Sequence, residues 1–269
     1  MPTDARHHSP TALHCDGWHL EVLAVAPSTN SHAARLQPWT AVRAVTQTAG
    51  RGRTPDRTWV SDEGGLWLSA VLPCPGERAR WAILPLAAGW AVLNALREWG
   101  VRDARLRWPN DIMVGRGKLA GLLVERFTAD TAVVGIGLNI FNHPERAHPE
   151  LARAAVRLAD LVPGTYSVDD IATTLLRAVR AMHGIILERG FEVIAEELNR
   201  QWTGPRPVEV TLATRALPVA GRFEGIDSQG RLRLSTRDGG LSVYDAGQVT
   251  LFRELDSRHR NDRPNPITP

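Results

Sequence analysis

The chain has 269 residues, 43% of them hydrophobic and 23% charged, which is ordinary for a globular protein and leaves room for a large domain with a small one beside it. A formal net charge of +3 leans towards anionic ligands and is too small to indicate nucleic acid by itself. Cys15 and Cys74 sit in no motif, which argues against a disulfide framework, and the nine histidines show no metal-binding spacing with a carboxylate.

Residues 1–17 are polar, lack a signal-peptide pattern and are expected to form a disordered tail, with the protein in the cytoplasm. His19–Ala26 alternates and ends at Pro27, so it reads as a strand. Ser28-Thr-Asn30 then opens a helix towards Leu36. Cap-type residues directly after a strand aim N–H groups and short polar side chains at one spot; taken alone, the three residues are better explained by plain capping. Ala41–Thr46 is a second strand. The segment Gln47–Trp59 after it interleaves Gly50, Arg51, Gly52 and Arg53 and adds Arg57. Glycine permits close backbone approach and arginine supplies forked donors, so the segment is a candidate flap over an anion. A solvated turn would not need three arginines beside a tryptophan.

Gly65–Leu72 is a strongly apolar strand. Trp81–Trp99 is a largely buried helix with Pro85 in its first turn and Gly100 beyond its end. No apolar run is read as reaching the roughly 18 residues of a membrane span. Arg105–Trp108 forms a short strand ended by Pro109; Ile112–Val114, a turn at 115–117 and Lys118–Phe127 form a hairpin. In Thr131–Ile140, Gly135 and Gly137 leave space for close approach. Ser167 caps a helix whose apolar residues Ile171, Leu175, Val179, Met182 and Ile186 share one face, and a shorter helix runs to about Trp202. From Val208 the period becomes two, and five short strands predict a small antiparallel barrel. Residues 256–269 read as a second disordered tail.

Lysine and arginine total 32, and Lys118 is the only lysine, against 31 arginines. Guanidinium is a wide planar fork and ammonium a compact point charge, so the two are not interchangeable. Chance survival in an arginine-rich sequence is the plain alternative; the neighbouring Trp108-Pro-Asn-Asp111 segment argues for a specific position.

Taken in order, Ser28-Thr-Asn30, Gln47 with Gly50-Arg-Gly-Arg53, Trp108-Pro-Asn-Asp111 with Lys118, Leu119-Ala-Gly-Leu-Leu-Val-Glu125 and Gly135-Ile-Gly-Leu-Asn139 resemble the biotin protein ligases over about residues 18–253. The resemblance implies an α/β (α+β) fold with a central mixed β-sheet flanked by helices, similar to class II aminoacyl-tRNA synthetases, over residues 18–203. A C-terminal SH3-like barrel is expected over 204–255. It implies a reaction that turns biotin and Mg²⁺-ATP into biotinyl-5′-AMP and passes the biotinyl group to a lysine of a biotin carboxyl carrier domain. By the same resemblance Lys118 and Arg53 are catalytic, and Ser28, Thr29, Asn30, Gln47, Arg51, Gly52, Arg53, Lys118 and Gly121 bind biotin. Arg51, Arg53, Lys118, Asn139 and Trp59 bind ATP or the adenylate, and Mg²⁺ arrives on the ATP.

The likeness has two departures. Arg53-Thr-Pro-Asp-Arg-Thr-Trp59 replaces the usual second Gly-Arg, so Pro55 is expected to stiffen the flap tip. The first strand begins near residue 19, leaving no room for the winged-helix domain of some members, so no DNA binding is expected; a homodimer remains open. Asp111 is expected to order the turn that carries Lys118. Lipoate ligases and octanoyltransferases of the same architecture are the enzymatic alternative. A nucleic-acid-binding module is disfavoured because stacking aromatic pairs are lacking and Leu119 follows Lys118 where a phosphate loop has Ser or Thr.

Overall fold

A computed structural model of the chain describes residues 11–255, apart from 55–56, 203–205, 216 and 237. Strands β1 (Thr11–Cys15) and β2 (Trp18–Ala26) pair as a hairpin across Asp16 and Gly17, whose φ values are 46° and 78°. An Asp-Gly pair with both residues at positive φ is the turn that matches the twist of a two-residue hairpin. Residues 11–15 are therefore part of the sheet and not of a disordered tail. Residues 1–10 and 256–269 lie outside the described residues.

After β2 the chain makes one turn of helix, α1 (Thr29–Ala33), and returns as β3 (Thr40–Gln47) parallel to β2. The remaining strands of this unit are β4 (Leu66–Pro73), β5 (Ala104–Arg107), β6 (Asp111–Val114), β7 (Gly117–Glu125) and β8 (Thr131–Leu138). They make an eight-stranded mixed sheet in the order β1-β2-β3-β4-β8-β7-β6-β5, in which only the β2–β3 pair is parallel. The central strands β4 and β8 read as near-continuous apolar runs because helices cover both faces. On one face Ala33 of α1 packs with Val42, Val71 and Val133. On the other, Arg43 of β3 reaches Asp169 of α3 (Val168–Arg189) at 2.6 Å.

Helix α3 starts in a reciprocal Ser167–Asp170 capping box, and the five apolar residues expected on one face are all buried. Helix α2 (Leu84–Glu98) has Pro85 in its first turn and ends before Gly100, at φ 85°. Counting the 3₁₀ turn before it, Arg78–Glu98 is long and apolar enough to cross a membrane, which corrects the sequence expectation. Its most apolar window is 67% buried within the protein, as a core helix requires.

A second compact unit begins at Glu192. It holds α4 (Glu192–Gln201) and five strands, β9 (Arg206–Leu212), β10 (Val219–Ile226), β11 (Leu232–Ser235), β12 (Leu241–Tyr244) and β13 (Val249–Glu254). All pair antiparallel, in the order β12-β11-β10-β9-β13. The expected boundary at 203/204 placed α4 with the first unit. The Asn199 amide instead bridges both backbone groups of Ile226 at 2.9 Å, and Trp202 lies edge-on to Phe223, so α4 belongs to the small unit.

Candidate active site

An open cleft of about 520 Å³ lies where the β2–α1 junction, the end of β3, the 47–59 flap, β4, β7 and β8 meet. Ser28, Thr29, Asn30, Gln47, Arg51, Gly52, Arg53, Trp59, Lys118 and Gly121 all line it. The strand-to-helix junction does not act as a cap. Ser28 is extended and its hydroxyl makes no capping bond, while the side chains of Thr29 and Asn30 bond across to the sheet.

Those bonds form a chain. Thr29 donates its N–H to Gln47 Oε1 at 2.7 Å, and its hydroxyl lies 3.0 Å from the same oxygen. Gln47 Nε2 donates to Ser61 Oγ at 2.8 Å, and Ser61 donates to the Trp59 carbonyl at 3.1 Å. Ser69 Oγ lies 2.6 Å from Asn30 Oδ1 and 2.8 Å from Thr29 Oγ1. The Asn30 oxygen can only accept, so Ser69 gives it the proton. Both Asn30 amide protons are also committed, to the Leu123 carbonyl at 3.1 Å and to Glu125 Oε2 at 2.7 Å. Asn30 thus shapes the pocket wall and has no donor left for a ligand. Ser28 and Gln47 line the cleft beside it.

The other end is charged. Lys118 Nζ lies 2.5 Å from Asp111 Oδ1, and Arg107 donates to Asp111 Oδ2 at 2.6 Å. Burial by itself would raise the Asp111 carboxyl, but the charges of Lys118 and Arg107 hold it below the usual carboxylate value. Arg53 stands close enough to Asp111 to feel its charge; burial lowers its pKa and the carboxylate partly opposes that. Three cations surround one carboxylate, and two of them, Lys118 and Arg53, line the cleft. Asp111 does order Lys118, and it does so by direct ion pairing.

The backbone fixes Lys118 as firmly. A register shift between Ile112 and Met113 puts a bulge at Lys118–Leu119, a device that re-aims a side chain. Lys118 N–H donates to the Ala154 carbonyl at 2.7 Å, and its carbonyl accepts from Val156 at 3.1 Å and from Asn139 Nδ2 at 3.2 Å. Asn139, expected at the adenine, is not among the cleft-lining residues. It is buried, its side-chain oxygen accepts from Asn142, and its amide supports the Lys118 strand from behind.

The flap folds back on itself. Trp59 N–H donates to the Gly50 carbonyl, Arg51 and Thr58 form a bridge, and Gly52 N–H donates to the Arg57 carbonyl. A Cβ on Gly52 would lie 2.6 Å from Arg57 Cβ, which is why the return strand closes only on glycine. Pro55, expected to stiffen the tip, lies outside the described residues. Trp59 ends above Gly121 and Gly137, a directly opposed pair of β7 and β8. A Cβ on either would come within 2.8 Å and 2.7 Å of the indole, so the glycines form a flat floor. Lys118 Nζ lies 4.8 Å from the Trp59 ring centroid, a cation–π distance.

Sequence reasoning missed Ser61 and Ser69, and it gave no role to Asn110 and Glu125, although both stand in the motifs that carry the resemblance. Ser69 carried a signal, since it is a single hydroxyl inside an otherwise apolar strand and is wholly buried. Asn110 exchanges hydrogen bonds with the Leu122 backbone, 12 residues away in sequence, a pairing with no local signature.

Residues 24–140 match the biotin/lipoate A/B protein ligase family and residues 206–251 the biotin protein ligase C-terminal domain. The biotin–[acetyl-CoA-carboxylase] ligase of Mycobacterium tuberculosis is 34% identical over 88% of this chain and 91% of its own length. The chain belongs to the biotin protein ligases. The Paracoccus denitrificans enzyme of the same name is 37% identical over 85% of this chain and 98% of its own. Biotin protein ligase from Aquifex aeolicus, solved with biotin and ATP, superposes with a TM-score of 0.76 at 26% identity, covering 88% of this chain and 99% of that one. The first family match contains all the cleft-lining residues.

Proposed function

We infer that the chain is an ATP-dependent biotin–protein ligase, which activates biotin as biotinyl-5′-AMP and transfers the biotinyl group to a carrier lysine. The observation that carries the reading is the union, in one cleft, of a neutral hydrogen-bonding network and a cationic end where Lys118 and Arg53 converge near Asp111. Biotin offers a neutral cyclic urea at one end and a carboxylate at the other, and the cleft is polarised in the same sense. The lipoate alternative is not favoured, because a dithiolane ring has no use for a polar pocket lined by Ser28, Thr29 and Gln47.

In the first step a biotin carboxylate oxygen attacks the α-phosphorus of ATP. The bond to the bridging oxygen of the β-phosphate breaks, and diphosphate leaves with its electron pair. Two anions converge, so catalysis is mostly positioning and charge stabilisation. We assign to Lys118, aimed by its bulge and paired with Asp111, the bridging of the carboxylate and the α-phosphate. Arg53 approaches from the flap, while Arg51 at its root is held by Glu125 and Ser31. In the second step the carrier lysine attacks the acyl carbon, the amine loses a proton, and AMP leaves as the amide forms. Lys118 then stabilises the carbonyl oxygen.

We propose that Mg²⁺ enters as part of the Mg-ATP substrate, held chiefly by phosphate and water. The acceptor we propose is a biotin carboxyl carrier domain of a carboxylase in the cytoplasm. Incubating the protein with ATP, Mg²⁺ and biotin should yield biotinyl-adenylate and diphosphate. Turnover with lipoate or octanoate and none with biotin would sink the reading.

A further inference from the structure

We propose that Glu125 is a positioning residue that latches the flap to the wall of the head-group pocket. It is the last residue of β7, and a single oxygen, Oε2, accepts from Asn30 Nδ2 at 2.7 Å and from Arg51 at 2.8 Å. The second terminal nitrogen of Arg51 donates to Ser31 Oγ at 3.1 Å. One carboxylate therefore ties together β7, the α1 segment and the root of the flap.

The Arg51–Glu125 pair is partly exposed, with side-chain exposures of 43% and 28%, and such a pair alone contributes little. What distinguishes it is the second bond, to an amide that has nowhere else to go. Asn30 lies directly on Gly135, where a Cβ would collide with its oxygen, and its other groups are held by Leu123 and Ser69. A rigid Asn30 fixes Glu125, and Glu125 fixes Arg51. With Arg51 held, the paired backbone of the flap carries Arg53 towards Asp111 and Trp59 over the glycine floor. The requirement is for a carboxylate. A glutamine would turn an N–H₂ towards one of the two donors or leave the guanidinium facing a neutral oxygen.

Loss of the latch should loosen the flap without disturbing the charges around Lys118. It should therefore act on ligand capture and retention more than on the chemical step. That consequence rests on the biotin-ligase reading; the latch itself does not. The flap offers trypsin three sites, at Arg51, Arg53 and Arg57, so limited proteolysis mapped by mass spectrometry reads the latch directly. For Glu125→Gln we expect cleavage at Arg53 and Arg57 to be roughly tenfold faster with an unchanged unfolding midpoint, as suits the loss of hydrogen bonds to a charged acceptor. The biotin KM should rise by about as much while kcat for diphosphate release changes less than about twofold, and more adenylate should escape through a filter. Arg51→Gln removes the same pair from the flap side, where folding is not at risk, and should reproduce the faster cleavage. The double variant should be no faster than either single one. Wild-type cleavage rates in both single variants, or strictly additive rates in the double, would overturn the proposal. Faster cleavage in a protein that makes no adenylate would leave the latch standing and remove the biotin-ligase reading instead.

Discussion

At one end of the cleft, between α1 and the end of β3, Thr29, Gln47, Ser61 and Ser69 are tied to one another by hydrogen bonds between neutral groups. At the other, around β6 and β7, the groups are charged, and Lys118, Arg107 and Arg53 outnumber Asp111. The first end works by geometry: its donors and acceptors are committed in advance, and few atoms remain for a ligand. The second works by imbalance, holding a positive surplus that an incoming carboxylate and phosphate would neutralise. A neutral network should therefore fail by moving atoms, and the charged cluster by changing charge or its shape.

The sharpest way to break the charged end is Lys118→Arg. It keeps the charge but replaces a point ammonium, pinned at 2.5 Å to Asp111, with a planar fork that does not fit the same bulge. Adenylate formation should fall by about 10²–10³, near 3 kcal/mol of transition-state stabilisation, with little change in biotin KM. Diphosphate release under saturating biotin checks it, and wild-type rates would reduce Lys118 to a survivor of an arginine-rich composition.

Glycine substitutions separate the two ends next. Gly135→Ala drives a Cβ into Asn30, which is bonded on every side, so we expect a loss of about 1–3 kcal/mol in denaturant unfolding. Gly137→Ala meets the Trp59 indole first, 2.7 Å away on the flap and not in the core, so stability should stay near wild type while adenylate retention falls. Equal destabilisation by the two would mean that the flap is part of the rigid core.

The pH dependence gives a smaller effect, and it comes from outside the cleft. Burial pushes the His183 imidazole below its ordinary 6.5, opposed by a hydrogen bond to the Pro73 carbonyl at 2.7 Å, and the ring stacks on Trp81. A depressed folded value means the unfolded chain binds the proton first. The stability His183 contributes is thus present above 6.5 and lost as pH falls through its lower folded value. Asp111 obeys the same sign lower down, keeping its contribution above its ordinary 3.8 and losing it as pH falls further. Denaturant midpoints between pH 7.5 and 5.5 should decline in the wild type and decline less in His183→Gln, while the ion pair at Lys118 stays intact over that whole range.

Much of this was legible in advance because it is local. Strand and helix order follows apolar periodicity, and Gln47, Arg51, Arg53 and Lys118 stand beside glycines or in a tight turn that mark their segments. What was hidden depends on which strands become neighbours. Glu125 meets Asn30 only because β7 and α1 converge across β8, and Ser69 meets Thr29 from a strand 40 residues on. Asn139 looked like a ligand residue beside two glycines, but its amide is taken by the Lys118 carbonyl of another strand and its oxygen by the Asn142 side chain three residues on. The β1 hairpin is a different failure, since Asp16-Gly17 between alternating residues was a local signal passed over for the polar composition around it.

Ser28 offers the finest test of the comparison. Its sequence context reads as a helix cap, and a cap removed by alanine costs about 1 kcal/mol of stability. In the structure its hydroxyl makes no cap bond and the residue lines the cleft, so the same substitution should cost the fold nothing. The whole effect should appear in binding. Ser28→Ala is expected to leave the unfolding midpoint in place and raise the biotin Kd by roughly fivefold, the size of one neutral hydrogen bond. If the midpoint drops and Kd holds, Ser28 is a cap after all, and the neutral end of the cleft loses its one uncommitted hydroxyl at the helix start. If Kd alone moves, the β2–α1 junction was built with its first polar residue left open for a ligand.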